Sequence, residues 1–435
     1  MSLLRYEEYK QTGVAWLDET PSHWHIQQAR RLFEQRRDAS LPGDEQLSAT
    51  QKYGVIPQRL FMEQEDQKVV LALGGLDNFK RVQPDDFVIS LRSFQGGIER
   101  SRYAGCVSPA YTVLRPQTGL VAGFWEHLLK SAQYISALQT TTDGIRDGKN
   151  ISYGQFGALC VPLPPAEEQA AIAAFLDRET TKIDALIAEQ ERLILLLAEK
   201  RQATISHAVT RGLNPDAPTK DSGVAWLGEL PEHWNIVRVK ALSQFTTSGP
   251  RGWSERITED GSLFIQSGDL NDSMGLEFET AKRVSVDDDA EAARTRLVEG
   301  DVVVCITGAK TGNVAICASL REPAFVNQHL CLIRPTKDVH GRFLAFALKS
   351  NIGQTQFELS QYGLKQGLSL ENVRELWIAH PPREEQEGIV AFLETEMSKL
   401  TSLALTADAG VRLLKERRSA LIAAAVTGQI DVRAV

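Results

Sequence analysis

Cysteine is scarce in this sequence: five in 435 residues, an odd number with no Cys-x-x-Cys pair. Cys106, Cys160, Cys305, Cys317 and Cys331 lie in apolar, strand-like runs, which reads as buried reduced thiols and gives no zinc-site spacing. No uninterrupted apolar run approaches the ~18 residues of a membrane span. The stretch Met1-Ser-Leu-Leu-Arg-Tyr-Glu-Glu lacks an apolar core of signal-peptide length, so the expected location is the cytoplasm, away from any membrane. Positive charge is short as well. Lys and Arg number 48 against 56 Asp and Glu, a formal net charge of −8. That balance argues against a free-standing nucleic-acid binder, whose footprint is normally basic. Two arrangements escape the argument: basic residues concentrated in particular loops, or partners that supply the positive charge.

Catalytic signatures are missing too. A Walker A loop needs Gly-x4-Gly-Lys-Ser/Thr, and Gly308-Ala-Lys-Thr lacks the glycine before Lys310. An amino-methyltransferase motif would place an aromatic residue after Pro-Pro, whereas Ala166 and Arg383 follow the two Pro-Pro pairs here. Asp147-Gly-Lys149 with Pro84-Asp85 imitates two halves of a nuclease motif, a coincidence common in chains of this size. No Ser-His-Asp constellation can be assembled. The chain reads as non-catalytic.

What is present is a long apolar-periodic stretch, Glu167–Val209, with no Gly or Pro inside it. Pro164-Pro165 closes the segment before it, and two acids open its first turn, both signals of a helix start. Ile172, Leu176, Glu179, Ile183, Leu186, Gln190, Leu193 and Leu197 alternate spacings of four and three, the seam of a coiled coil. About 40 residues at 1.5 Å each make a rod of roughly 60 Å, too long to bury one stripe without a partner helix.

The partner lies in the same chain. Ile389, Leu393, Glu396, Leu400, Leu403, Ala407, Gly410 and Leu414 repeat the seam, and Pro382-Arg-Glu-Glu-Gln386 repeats Pro165-Ala-Glu-Glu-Gln169. A second duplication precedes each half: Gly13-Val-Ala-Trp-Leu17 with Pro21-Ser-His-Trp24, and Gly223-Val-Ala-Trp-Leu227 with Pro231-Glu-His-Trp234. These motifs read either as docking elements or as aromatic plugs at the base of each half; the single histidines do not suggest metal. The order motif, variable region, helix occurs twice, with a polar linker at Arg211–Ser222. The end of the second helix should therefore meet the first motif. This implies antiparallel helices, a pseudo-two-fold internal repeat and a circular organisation.

Both variable regions read as strand-rich. Phe87–Leu91 and Tyr111–Leu114 are short β-like runs in the first, Gly300–Val304 and Cys331–Arg334 in the second. The first region carries Arg92-Ser93-Phe-Gln95-Gly-Gly-Ile-Glu-Arg100-Ser-Arg102, a loop of residue types that reach phosphates and base edges, although a solvated hairpin tip has a similar composition. The second carries Thr307-Gly-Ala-Lys310-Thr311-Gly-Asn313. Ahead of each Pro-Pro bend comes one more polar loop, with Arg146 and Lys149 in the first half and Lys365 and Gln366 in the second. These loops look aimed at a polyanion, or are turns entering the next strand.

Taken in order, these motifs resemble the specificity subunit of type I restriction–modification enzymes. The resemblance rests on the duplicated Gly-Val-Ala-Trp-Leu…Pro-x-His-Trp entry, Pro84-Asp-Asp-Phe-Val-Ile-Ser90, the Gln95-Gly-Gly loop, Val107-Ser-Pro-Ala-Tyr111, Asn327-Gln-His329 and the Pro-Pro-x-Glu-Glu-Gln helix starts. It implies an α+β fold: two β-rich target-recognition domains separated by a long antiparallel two-helix coiled coil. The expected segments are 1–160, the first recognition domain; 161–213, the first long helix; 214–380, linker, second motif and second recognition domain; and 381–435, the second long helix. The implied function is reading a bipartite, asymmetric double-stranded DNA target, one half-site per domain. The implied partners are two adenine methyltransferase subunits and two restriction (translocase and nuclease) subunits. S-adenosylmethionine and ATP with Mg are expected on those partners and no cofactor on this chain. Arg92, Ser93, Gln95, Arg100, Arg102, Arg146, Lys149, Lys310, Thr311, Asn313, Lys365 and Gln366 are the expected DNA-contacting residues. The competing readings are a coiled-coil scaffold with two protein-binding heads and a nuclease hidden in one variable region.

Overall fold

The computed structural model describes residues 4–65, 76–90, 97–141, 151–224, 226–361 and 367–433. The mixture of helices and short strands is α+β. Two compact units are present: residues 1–191 with 409–435, and residues 192–408. This division cuts through both long helices.

Each unit is built on a four-stranded antiparallel sheet. In the first, β1 (Phe33–Arg36), β2 (Phe87–Ile89), β3 (Ile98–Arg100) and β4 (Thr112–Pro116) lie in the order β1-β4-β2-β3. In the second, β5 (Ser243–Ser248), β6 (Val302–Cys305), β7 (Val314–Ile316) and β8 (Leu330–Pro335) lie in the order β5-β8-β6-β7. The order is the same in both, and in both the pair at one edge, β2–β3 and β6–β7, is a hairpin. Every side chain of β2 and of β6 is buried, because both faces of the strand are covered. That explains the unbroken apolar runs in place of alternation. The second unit has another sheet, in which Ser262–Ile265 pairs in parallel with Ala324–Val326.

Helix α1 spans Ala166–Arg211 and helix α2 spans Arg383–Val426. In the first unit Asp184 pairs with Arg418 at 2.8 Å and Glu191 with Lys415 at 3.1 Å. Rising along one helix thus means descending along the other, so they run antiparallel there. Ile183, Ile187 and Val411 form the buried contact, with Leu414 and Leu421 half-buried beside it.

The expected seam needs correcting at its centre. Ile172 and Leu176 pack into the core of the first unit, and Leu197, Ile389, Leu393 and Leu400 into that of the second. Leu186, Leu193 and Leu403, however, are exposed. The covered stripe runs instead through Ile183, Ile187 and Leu197, buried, with Gln190 and Ile194 half-buried, and on the other helix through Met397, Leu400, Ala407 and Val411, buried, with Ala404 and Leu414 half-buried. Both phases alternate four and three and share Ile183, Gln190, Leu197, Leu400, Ala407 and Leu414; only the alternate positions move on by one residue, each about 100° round its helix. The run Leu193-Ile-Leu-Leu-Leu197 offers an apolar side chain in either phase, so periodicity alone could not choose. Gly410 also leaves the seam centre, which Val411 occupies.

No helix among the described residues is long and apolar enough to cross a membrane. All five cysteines are free, four of them buried and Cys160 partly so. Burial raises the Cys317 thiol to about 12, which keeps it protonated and unreactive.

Candidate nucleic-acid interface

The duplicated motifs converge on one carboxylate in each unit. In the first, Glu168 accepts from Trp24 Nε1 at 2.9 Å and lies 2.6 Å from His23 Nε2; in the second, Glu385 does the same with Trp234 at 2.9 Å and His233 at 2.6 Å. The next residue is duplicated as well. Gln169 donates to the Pro164 carbonyl and accepts from the Val121 amide, while Gln386 donates to the Pro381 carbonyl and accepts from the His340 amide. Trp24 and Trp234 are completely buried, so they plug the base of their units. The Glu-Glu-Gln triplet is therefore the lock that joins each motif to the start of its long helix.

The two locks differ in cover. Tyr6 and Arg433 also reach Glu168, at 3.2 and 3.4 Å, and Arg433 stacks over Tyr6. The amide of Asp431 donates to the carbonyl of Leu4 at 2.8 Å, closing the two ends of the described chain on each other. The Glu168 side chain is 9% exposed and that of Glu385 is 42%. Gly428 lies against Pro21 and Trp24, and Gly212 against Trp234 and Pro231, each at positive φ where a side chain would be strained. The end of each helix thus meets a Pro-x-His-Trp motif.

Beyond the lock, each unit presents its hairpin. In the first, the Ser90 amide donates to the Gly97 carbonyl at 3.0 Å and closes the base of the β2–β3 connection. Arg92, Ser93 and Gln95, like Arg146 and Lys149 in the same unit and Asp147 of the nuclease-like motif, lie outside the described residues. Arg100 and Arg102 flank the hairpin. The Arg100 guanidinium donates to Asp85 at 2.8 and 2.5 Å and to Glu126 at 3.1 Å, and its side chain is 21% exposed. Arg102 makes its ion pair with the same Glu126 at 3.2 Å and is 69% exposed. Arg100 therefore braces the hairpin, and Arg102 presents charge to solvent. Just before Arg100 in the same strand, β3, sits Glu99, buried, with Lys130 at 2.5 Å and one oxygen unpartnered. Burial outweighs the Lys130 ammonium and raises this carboxyl to about 7.

A buried aspartate precedes the central strand of each sheet. Asp86 caps the Gln83 amide and takes a forked pair from Arg36 of β1; Asp301 caps the Val298 amide and takes one from Arg334 of β8. The same carboxylate position is thus neutralised from different strands in the two units. Such forked pairs fix geometry as well as charge.

In the second unit the hairpin loop Ile306–Asn313 is pinned. Gly308 and Gly312 take positive φ, and the Gly312 amide donates to the Cys305 carbonyl at 2.8 Å. Lys310 donates to the carbonyls of Gly268 and Leu270, both at 3.2 Å, and Asn313 donates to Leu270 at 3.3 Å while accepting from Lys349 at 2.8 Å. The Thr311 hydroxyl is used on the Gly308 carbonyl at 2.7 Å. These three side chains hold the loop; Lys310 remains exposed at the same time. Lys365 and Gln366 lie outside the described residues. Among the described residues no cluster of His, Cys, Asp or Glu is arranged to hold a metal ion.

Residues 231–405 match the family model described as the type I restriction modification DNA specificity domain. The chain is 23% identical over 380 residues to the type I restriction enzyme EcoKI specificity subunit of Escherichia coli strain K12, covering 81% of this chain and 76% of that protein. It is 25% identical over 324 residues to the Escherichia coli EcoBI specificity subunit, covering 71% and 66%. Among solved structures, a chain of a type I restriction–modification system aligns with a TM-score of 0.69 at 19% identity, over 94% of this chain and 99% of that one. The HsdS subunit from Thermoanaerobacter tengcongensis aligns with a TM-score of 0.56 at 17% identity, over 94% and 98%. Over most of its length the chain is thus similar to type I restriction–modification specificity subunits, and its second half carries the match to their DNA specificity domain.

Proposed function

We propose that the chain reads a bipartite, asymmetric target in double-stranded DNA, one half-site per unit. The observation that carries this reading is the pair of sheets with identical strand order, each offering its hairpin from between copies of the same lock. Since the two hairpin sequences differ, the half-sites differ. The long helices pair as an antiparallel coiled coil, supported by the Ile183, Ile187 and Val411 contact. The fold is a pseudo-two-fold repeat closed in a circle, supported by the bridge between Leu4 and Asp431. Arg92, Ser93, Gln95 and Arg102, together with Arg146 and Lys149, serve the first half-site; the hairpin held by Lys310, Thr311 and Asn313, with Lys365 and Gln366, serves the second.

With an excess of acid over base in the whole chain, affinity for DNA alone is weak. Two adenine methyltransferase subunits add positive charge and chemistry, and two restriction subunits complete the enzyme. S-adenosylmethionine and ATP with Mg belong to those partners, and the assembly works in the cytoplasm. Phosphate neutralisation makes its affinity steeply salt-dependent. A gel shift with and without the methyltransferase tests the reading. A sequence-dependent shift that needs the methyltransferase supports it; a scaffold with two protein-binding heads gives no sequence-dependent shift under either condition.

A further inference from the structure

One end of the second unit's sheet gathers three loops that none of the pinned hairpin residues explains. The turn Ser248-Gly-Pro-Arg251 packs directly on Val326-Asn327: a Cβ on Gly249 would meet the Val326 carbonyl oxygen at 2.0 Å, and the Gly249 amide donates to the Asn327 carbonyl at 3.1 Å. Asn327 is buried, and its side-chain oxygen accepts from the His329 amide at 3.0 Å, fixing the turn that throws His329 outward. The hairpin joins from the other side, since the Ile306 amide donates to the His329 carbonyl at 2.9 Å.

The His329 ring is exposed, yet both its nitrogens are engaged. Nδ1 lies 2.5 Å from Thr307 Oγ1, and Nε2 lies 3.2 Å from the Gln328 amide nitrogen. An amide nitrogen can only donate, so Nε2 is the acceptor and Nδ1 carries the hydrogen. Nδ1–H then donates to Thr307 Oγ1, which leaves the threonine hydroxyl hydrogen free for an acceptor outside. Gln328 has spent its amide on the ring, and its Oε1 is buried with no partner. Native structures rarely leave a buried acceptor unpaired, and a group held that way calls for a reason beyond packing. A neutral, oriented ring and a free hydroxyl suit base or sugar edges; the neighbouring exposed Arg251 suits a phosphate.

Resting on the DNA-reading function above, we propose that this end is the DNA-contacting surface of the second unit. Thr307 and His329 face base edges, Arg251 holds a backbone phosphate, and Gln328 is a positioning residue that sets the His329 ring. The hairpin residues Lys310 and Asn313 brace this surface from behind.

The test uses the full chain assembled with its methyltransferase partner, carrying Arg251→Ala, Gln328→Leu or His329→Ala. Co-purification with the partner and an unchanged melting curve establish that each variant folds; should His329→Ala fail, His329→Gln carries the same test. His329→Ala should relax one position of one half-site, lowering discrimination there roughly 5- to 150-fold, the range of a lost base contact. Gln328→Leu should relax the same position by less. Arg251→Ala should weaken binding to all sequences alike and reduce the salt slope by about one unit. If the wild-type assembly shows a bipartite preference and all three variants retain its motif, affinity and salt slope, the surface assignment is overturned and the DNA-reading function stands. A wild-type assembly with no sequence preference overturns both.

Discussion

Replacing Glu168 and Glu385 by alanine, one at a time, separates two locks that look alike in sequence. Removing Glu168 strands the indole N–H of the fully buried Trp24, which costs about 1–3 kcal/mol. It also removes the contact with His23 and that with Tyr6, and hydrogen bonds to a charged group contribute about 1.5–3 kcal/mol. The half-exposed Arg433, at 3.4 Å, adds little after solvent screening. The first unit should therefore lose about 3–5 kcal/mol. Glu385→Ala strands Trp234 in the same way, but its carboxylate is 42% exposed and water can take over part of its role. The loss there should be about 1–2 kcal/mol. One melting temperature does not describe a chain of two units. Hydrogen exchange read separately over Tyr9–Gln28 and over Glu229–Arg238 is the assay. Glu168→Ala should deprotect the first stretch and leave the second as it was, with the smaller, reverse pattern for Glu385→Ala. Equal losses in the two units, or a larger one at Glu385, would refute the argument from cover.

Three other perturbations test separate parts of the structure. Ile187→Ala should destabilise the helix pair by about 2–4 kcal/mol, whereas Leu186→Ala, one residue away but exposed, should stay within about 0.5 kcal/mol in urea unfolding; the opposite ranking would restore the phase read from periodicity. Glu99 holds its proton more tightly folded than unfolded. Its contribution is therefore complete below pH 4.5 and is lost as pH rises toward about 7, by up to ~3 kcal/mol. Glu99→Gln should flatten that fall in the first unit, and parallel pH profiles for variant and parent would count against it. Joining Val435 to Met1 by a short linker and opening the chain near Pro215 should preserve folding and partner binding, because Leu4 and Asp431 already bridge; an insoluble permutant would contradict the circular organisation.

The long helices and the repeat were legible because their signals are dense: Glu-Glu-Gln and Pro-x-His-Trp each occur twice, and tryptophan is rare. What the repeated triplet does was not legible. That Glu168 and Glu385 receive the indole of a tryptophan about 150 residues away is a tertiary fact with no local pattern. The seam phase was lost for a different reason. A run of five aliphatic residues satisfies two registers, and only tertiary packing, which half-buries Ile194 and leaves Leu193 exposed, chooses between them. Composition singled out Arg100, Lys310 and Asn313 as cationic or polar loop residues, but it cannot tell a side chain spent on Asp85 or on the Leu270 carbonyl from one that faces outward. His329 and Gln328 stood inside a motif that helped to place the chain, without any hint that the ring is held at both nitrogens.

The most direct test of a divided reading is exchange of residues 235–380 for the equivalent region of a relative, followed by genome-wide mapping of methylated adenines by the assembled complex. One half of the methylated motif should change, while the other half and the spacer stay as they were, because the first unit is untouched. A swap that rewrites both halves, or neither, would contradict the claim that each unit reads its own half-site.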